Sequence, residues 1–353
     1  MPQLLLYFLP ALLAFAITFA VAKLLCQPKL SSYFIDDTGG KKLHKKAIPA
    51  SGGIALFIGI VITALIFEGS FLIQNHLYVI IGFAAMFLLG LVDDLKPLGW
   101  RSKLALQFAI IFFVVLIGDL RLESVILEHS FYQMPYYISA SISIFLLLFL
   151  TNAFNFIDGV DGLATTVALL FFLGLLYFQT PFSRIFLMCA AASLFAFRRF
   201  NKEPAQLFMG DSGSLFLGFM CAVLCILFLE ADLVISNIRV QSYQQRLPVM
   251  TVLFWYPVFD TARVLLLRLY KRKPLFKRDK LHSYSALLRL GYSHTQIVSL
   301  IFLVTLILLG GVLFLEPIIG LWFFLILQIM VLLALHIYLD VQIRNFKKET
   351  KRN

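Results

Sequence analysis

Three acidic clusters, Asp93-Asp94, Asp158 with Asp161, and Asp211, each stand at the edge of a long apolar run. Carboxylates at membrane depth are costly, so acidic groups placed there mark a function by default. Acidic side chains on one surface of a basic chain point to a divalent cation shared with a phosphorylated ligand. Mg²⁺ takes carboxylate, phosphate and water oxygens together.

The surrounding residues refine that chemistry. Gly90-Leu-Val-Asp-Asp-Leu-Lys-Pro97 puts two adjacent carboxylates at a helix end, where both ionise only beside a cation, either Lys96 or a metal. In Asn152-Ala-Phe-Asn-Phe-Ile-Asp-Gly-Val-Asp-Gly-Leu163, Asn155, Asp158 and Asp161 follow at intervals of three, one helical face. Phe208-Met-Gly-Asp-Ser-Gly-Ser214 opens an apolar helix. Asp211 there is either a simple helix cap or a hard-cation ligand, and the amides after it suit a phosphate. Lys41-Lys-Leu-His-Lys-Lys-Ala-Ile-Pro-Ala-Ser-Gly-Gly53 offers Lys45 and Lys46 to a diphosphate, and Gly52-Gly53 lets backbone approach a ligand. Arg278-Asp-Lys-Leu-His-Ser-Tyr-Ser285 sets His282 among basic residues, suited to a polyanion and to proton transfer.

The elements that must hold these groups are hydrophobic helices. The chain of 353 residues is 61% hydrophobic and 14% charged, with mean hydropathy +0.91. Soluble domains are nearer ~45–50% apolar and ~25% charged. The expected fold is all-α: one polytopic integral membrane domain over residues 1–353. Its spans are expected at roughly 3–22, 53–73, 77–92, 103–118, 136–153, 162–179, 183–198, 213–232, 247–267, 296–314 and 317–339, about eleven in all. The first, from Leu4 to Ala22, reads as an uncleaved span rather than a signal peptide. Cys26, Cys189, Cys221 and Cys225 lack ligand spacing and read as small hydrophobes.

With these spans, all of the 30 basic residues except Arg121, Arg184, Arg239 and Arg246 fall on one side. The positive-inside rule makes that side cytoplasmic, with the N-terminus outside and the C-terminus inside. It collects the loops 23–52, 93–103, 154–162, 198–213 and 268–295, which hold every acidic cluster named above. The net charge of +11 is then topology and attraction to lipid headgroups; with no soluble basic domain, nucleic acid is not an expected partner. Carboxylates, an Asn, cationic loops and one His at a membrane surface suit Mg²⁺-assisted phosphoryl transfer from a soluble nucleotide to a lipid acceptor.

On these residues the chain resembles the polyprenyl-phosphate N-acetylhexosamine-1-phosphate transferases, the family of the WecA-like enzymes and of MraY. Asn152–Leu163 and Phe208–Ser214 carry most of the likeness; Asp93-Asp94 and Pro257-Val-Phe-Asp-Thr261 support it. The resemblance implies transfer of a sugar-1-phosphate, GlcNAc-1-phosphate foremost, from a UDP-N-acetylhexosamine to undecaprenyl phosphate. A lipid-linked diphosphate sugar and UMP would result, beginning an O-antigen or capsule in a bacterial inner membrane. It also implies Mg²⁺, or Mn²⁺ in its stead, on Asp211 and Asn155; Asp93 and Asp94 at the lipid phosphate, one of them acting as base or organising the attack; and Asp158, Asp161, Lys45, Lys46 and Arg278 toward the nucleotide and sugar. His282 would be catalytic, as the first His of the family's His-x-His-His loop. A homodimer is compatible with all of this.

The chain departs from that pattern at Tyr284 and Ser285, which stand where the second and third histidines fall. This leaves the sugar-reading loop altered and admits a relative without activity. Ala47-Ile-Pro-Ala-Ser-Gly-Gly53 replaces the Thr-Pro-Thr-Met-Gly-Gly of MraY-like chains, which disfavours the muramyl-pentapeptide donor. A secondary transporter would also use many helices and buried carboxylates, but transporters bind near the midplane on broken helices, often in paired repeats.

Overall fold

The computed structural model describes residues 2–31, 34, 48–127, 130–178, 182–230, 243–270, 272 and 281–349. It divides into two compact units, Met1–Gln241 and Ser242–Asn353. The first unit contains α1 (Pro2–Leu25), the short α2 (Pro28–Ser31), α3 (Gly52–Phe57) and α4 (Thr63–Leu95). It continues with α5 (Trp100–Leu116), α6 (Tyr136–Phe156), α7 (Leu163–Phe178), α8 (Arg184–Asn201) and α9 (Gly210–Leu229). The second contains α10 (Tyr243–Leu253), α11 (Trp255–Tyr270), α12 (Ser283–Arg289), α13 (His294–Gly310), α14 (Glu316–Ile319) and α15 (Leu321–Glu349).

The protein is mostly helical and crosses the membrane several times. Among the described residues six helical segments are long and apolar enough to span, seven if the pair Arg246–Leu253 and Trp255–Tyr270, bent by 66°, counts as one. Among the described residues each of the eleven expected positions falls mainly on helix, and the smaller number has local reasons. Residues 53–73 and 77–92 form one run, Gly52–Leu95, interrupted by non-helical backbone at Glu68 and His76. Its 44 residues are about twice what a bilayer needs. Helices α5 and α7 are short, and α8 carries Arg184, Arg198 and Arg199 within its 18 residues. A hairpin that the apolar pattern did not predict, β1 (Ser124–Leu127) with β2 (Ser130–Gln133), joins α5 to α6.

Helix α9 is the axis of the first unit. Its sequence is apolar on every side, the mark of a helix meant for complete burial, and 17 of its 20 residues are buried. The α4 and α6 helices pack along it, while α1 and α7 pack on α8. Small residues let the backbones close up, as between membrane helices generally. A Cβ on Gly90 of α4 would lie 2.3 Å from the Asp211 carbonyl oxygen and 2.5 Å from the Ser212 Cα. Thus α4 reaches the first turn of α9 just where its own acidic pair begins.

The same closeness corrects one expectation. Gly52-Gly53 approaches backbone, not a ligand: Gly52 N donates to the Phe208 carbonyl and Gly53 N to that of Met209, each at 2.9 Å. A Cβ on Gly53 would sit 2.2 Å from Gly213 N. The Pro-x-x-Gly-Gly turn is therefore a seam that holds the loop before α9.

In the second unit, polar pairs tie otherwise apolar helices. Trp255 Nε1 donates to Thr305 Oγ1 at 2.8 Å, and Gln328 Nε2 donates to the Thr251 carbonyl at 3.2 Å. Ser293 and Gln296 close a reciprocal capping box at the start of α13. All four cysteines are free thiols.

Gly90→Ala is expected to cost about 1–3 kcal/mol, the usual penalty for overpacking a filled interface. Thermal unfolding in detergent measures it, with Gly69→Ala, where nothing lies within 4 Å, as the variant that does not lose stability.

Candidate active site

Four helix ends meet at one end of the first unit: the C-termini of α4 and α6 and the N-termini of α5 and α9. Each brings a polar residue from an otherwise apolar stretch. Asp94 caps α9 from the neighbouring helix. Its Oδ1 accepts from Asp211 N at 2.7 Å and its Oδ2 from Ser212 N at 2.9 Å. This satisfies orphan amides of a buried helix start and sets a negative charge at its positive end. The turn before it requires glycine, since Gly210 has φ +74° and a Cβ there would press on the Asp94 carboxylate at 2.7 Å. Of the amides expected to hold a phosphate, that of Ser212 is therefore already engaged by Asp94.

Asp93 faces the other way. Its Oδ1 accepts from Leu98 N at 2.6 Å, which folds the α4–α5 turn, and its Oδ2 pairs with Lys103 Nζ at 2.9 Å. Lys103 also reaches Asp211 Oδ1 at 2.6 Å. One ammonium thus bridges two carboxylates. The counter-ion of the acidic pair is Lys103 from the first turn of α5 and not Lys96, which is exposed.

Asn155 completes the group. Its Nδ2 donates to Asp211 Oδ1 and to Ser214 Oγ, both at 2.7 Å. The expected metal pair is brought side by side. With the amide nitrogen committed, the carbonyl oxygen of Asn155 is the atom left for a cation. Below it, Asn152 Nδ2 donates to Gln107 Oε1 at 2.7 Å, joining α6 to α5.

Asp158 and Asp161, alike in sequence, differ in place. Asp161 is buried and accepts from Ala205 N at 3.1 Å, so it shapes the turn after α8. Asn201 supports the same turn, accepting from Gly162 N at 3.1 Å and Thr165 Oγ1 at 2.7 Å. Asp158 is half-buried, and among the described residues no donor lies within hydrogen-bond distance of its carboxylate. Burial, then the charges of Asp211, Asp94 and Asp161, push its carboxyl from the ordinary 3.8 up to about 7.

The second unit holds its own cluster. His282 Nδ1 lies 2.7 Å from Asp260 Oδ2, Ser283 N donates to Asp260 Oδ1 at 2.7 Å, and Tyr256 OH lies 3.1 Å from Ser283 Oγ. Both Asp260 and His282 are buried. The Tyr284 ring stacks on the imidazole with centroids 5.4 Å apart. A carboxylate on one ring nitrogen fixes the orientation and tautomer of the other. Lys45, Lys46 and Arg278 lie outside the described residues.

Two residues of these clusters escaped the sequence reading. Lys103 looked like one of many topology-setting cations, and its signal was its place in the first turn after the acidic pair. Asp260 was visible as a lone carboxylate in Pro257-Val-Phe-Asp-Thr261, which is the default sign of function inside an apolar helix.

The donor set suits a shared rather than an enclosed metal. Among the described residues no group of three or more His, Cys, Asp or Glu is arranged to hold an ion. Mg²⁺ does not require one, because it commonly takes one or two carboxylates and completes its shell with water and substrate phosphate. Asp211, 30% exposed and already facing an ammonium, fits that use.

Residues 76–229, which span the carboxylate site, match Glycosyl transferase family 4. A Bacillus subtilis protein named "Probable undecaprenyl-phosphate N-acetylglucosaminyl 1-phosphate transferase" is 26% identical over 76% of this chain and 74% of its own. The Thermotoga maritima undecaprenyl-phosphate alpha-N-acetylglucosaminyl 1-phosphate transferase is 27% identical over 78% and 81%. The phospho-N-acetylmuramoyl-pentapeptide-transferase of Staphylococcus saprophyticus is 29% identical over 89% and 98%.

The two loop carboxylates are expected to respond oppositely to neutralisation. A raised carboxyl binds its proton more tightly in the folded state. Its contribution is therefore greatest at low pH and declines as pH climbs from about 4 to about 7. In EDTA, Asp158→Asn should remove that part of the decline in melting temperature. Asp161→Asn should instead lower stability, by about 1–3 kcal/mol, through a spoiled buried hydrogen bond.

Proposed function

We propose that this chain, which belongs to glycosyl transferase family 4, transfers a sugar-1-phosphate from a UDP-linked N-acetylhexosamine, GlcNAc foremost, to undecaprenyl phosphate. The observation that carries this reading is the grouping of Asp93, Asn155 and Asp211 at one cation position at the end of an apolar bundle, with Asp94 clamping the helix start that carries Asp211. A lipid phosphate and a soluble diphosphate can meet at such a place.

In the proposed reaction an oxygen of the acceptor phosphate attacks the sugar-bearing phosphorus of the donor. The bond from that phosphorus to the bridging oxygen breaks, and UMP leaves. A bound Mg²⁺ supplies charge neutralisation and alignment of the diphosphate. Asp211 and Asn155 are the residues that would hold it. Asp94 keeps Asp211 in place through the amides of α9, and Asp93 keeps Lys103 at the site. A phosphate monoester has its second pKa near ~6, so the acceptor is already largely dianionic at neutral pH. Attack therefore needs positioning more than a general base, and Asp93 and Asp94 serve as organisers in this reading.

Asp158 is assigned to the nucleotide side, with Asp161 shaping the wall behind it. Lys45, Lys46 and Arg278 are assigned to the donor on the chemistry of their side chains. His282, oriented by Asp260, is assigned to the transfer step. The lysine asymmetry supports a site facing the cytoplasm of a bacterial inner membrane, where the product would begin a cell-envelope polysaccharide such as O-antigen or capsule.

A second reading, transfer of phospho-N-acetylmuramoyl-pentapeptide, is favoured by the Staphylococcus saprophyticus relative and its long match. Purified protein with undecaprenyl phosphate and a panel of UDP-sugars separates the two. UMP and lipid product from UDP-GlcNAc, lost in EDTA, are expected; product from UDP-MurNAc-pentapeptide alone would establish the second reading. Asp211→Asn and Asp94→Asn should each lower exchange of UMP into the donor by about 10²–10³-fold, the scale of losing one preorganised electrostatic contact. Normal Mg²⁺-dependent turnover in Asp211→Asn would refute the metal assignment. His282→Ala should lower turnover by about 10²-fold.

A further inference from the structure

The position that a divalent ion would occupy is held by a cation of the chain itself. Lys103 Nζ lies 2.6 Å from Asp211 Oδ1 and 2.9 Å from Asp93 Oδ2, and its side chain is only 18% exposed. Asp211 Oδ1 receives the Asn155 amide as well, at 2.7 Å. Asp93 is fully engaged, with Leu98 N on one oxygen and Lys103 on the other. A metal ion on Asp211 would stand about 2.0–2.1 Å from its oxygen. Two cations sharing that oxygen repel strongly in a poorly solvated site.

We propose that Lys103 is an internal counter-ion that competes with the divalent ion, so that metal binding requires its ammonium to leave Asp211 and remain on Asp93 alone. The geometry gives the lysine somewhere to go without moving a helix, since Asp93 lies on the adjoining α4 and already holds it. Two consequences follow from charge. Without substrate, the two carboxylates are balanced by the ammonium and by backbone and amide donors, so a bare divalent ion gains little by entering. A metal that arrives with a diphosphate brings further anionic ligands, and these tip the exchange. Donor and metal then bind cooperatively, with Lys103 as the element both act on.

This inference rests on the proposed metal-assisted transfer, but its test needs no sugar nucleotide. Mn²⁺ binding to the full-length protein in detergent is followed by electron paramagnetic resonance. Lys103→Met should bind Mn²⁺ at least about ten-fold more tightly than the unaltered protein, since a competing charge has been removed. Lys103→Arg, which keeps the charge, should bind it little differently. The melting temperature of Lys103→Met in EDTA should fall, and Mn²⁺ should restore it by more than it raises the unaltered protein. Equal or weaker Mn²⁺ binding by Lys103→Met overturns the proposal.

If Lys103→Met does not fold, the unaltered protein still decides the matter. Acetylation of Lys103 by an amine-reactive ester, read by mass spectrometry, should accelerate at saturating Mn²⁺; an unchanged rate overturns the exchange. Tight Mn²⁺ binding in Lys103→Met together with no UMP release by the unaltered protein from any donor would sink the proposed reaction and leave this inference standing. Normal UMP release with unaltered Mn²⁺ affinity in Lys103→Met would do the reverse.

Discussion

A helix as apolar and as enclosed as α9 has one expensive place, the start, where backbone amides point forward without partners of their own. Ser212 and Gly213 in that first turn are buried, and a buried amide left without a partner costs about 1–3 kcal/mol. The partner is Asp94, whose two oxygens take the amides of Asp211 and Ser212. Much of the first unit's polar arrangement depends on this contact. It requires α4 to end beside the beginning of α9, which requires Gly90 at the crossing and Gly210 in the turn. It also places a negative charge where the helix dipole favours one.

Once that contact is made, the rest of the carboxylate site follows with little freedom. Asp93, next in the chain, must face the α4–α5 turn, where Leu98 N and Lys103 meet it. Asp211, whose own amide is held, turns its side chain toward Lys103 and Asn155. Capping, charge balance and the cation position are thus one structure. Asp94, expected as a base or as an organiser of the attack, clamps the helix start that carries Asp211.

The second unit solves a similar problem with a different pair. Asp260 is buried in an apolar helix, and it is stabilised there by His282 and by the Ser283 amide. Tyr284, which stands where the family's pattern has a histidine, extends the imidazole by stacking. The ring is held by Asp260 on its edge and Tyr284 on its face.

Much of this was legible in the residues alone. Helices at the expected positions follow from apolar runs of spanning length, and the acidic clusters stood out because carboxylates are rare in such company. That Asn155 and Asp211 stand together was implied by the family resemblance. What the string of residues could not distinguish was the task of each acid. Asp158 and Asp161 share a spacing and a glycine-rich loop, yet only Asp161 meets a backbone amide, that of Ala205 more than forty positions away. Gly52-Gly53 and the Ser212 amide suited a ligand equally well, and close helix packing gave them to the protein itself. Lys103 was hidden among cations that serve topology. Hydrophobicity and charge act through composition and can be read along the chain, so they determined that this is a membrane protein with acidic groups at the ends of its apolar helices. Hydrogen-bond saturation depends on which distant groups arrive within three ångströms, and only the tertiary structure decided that.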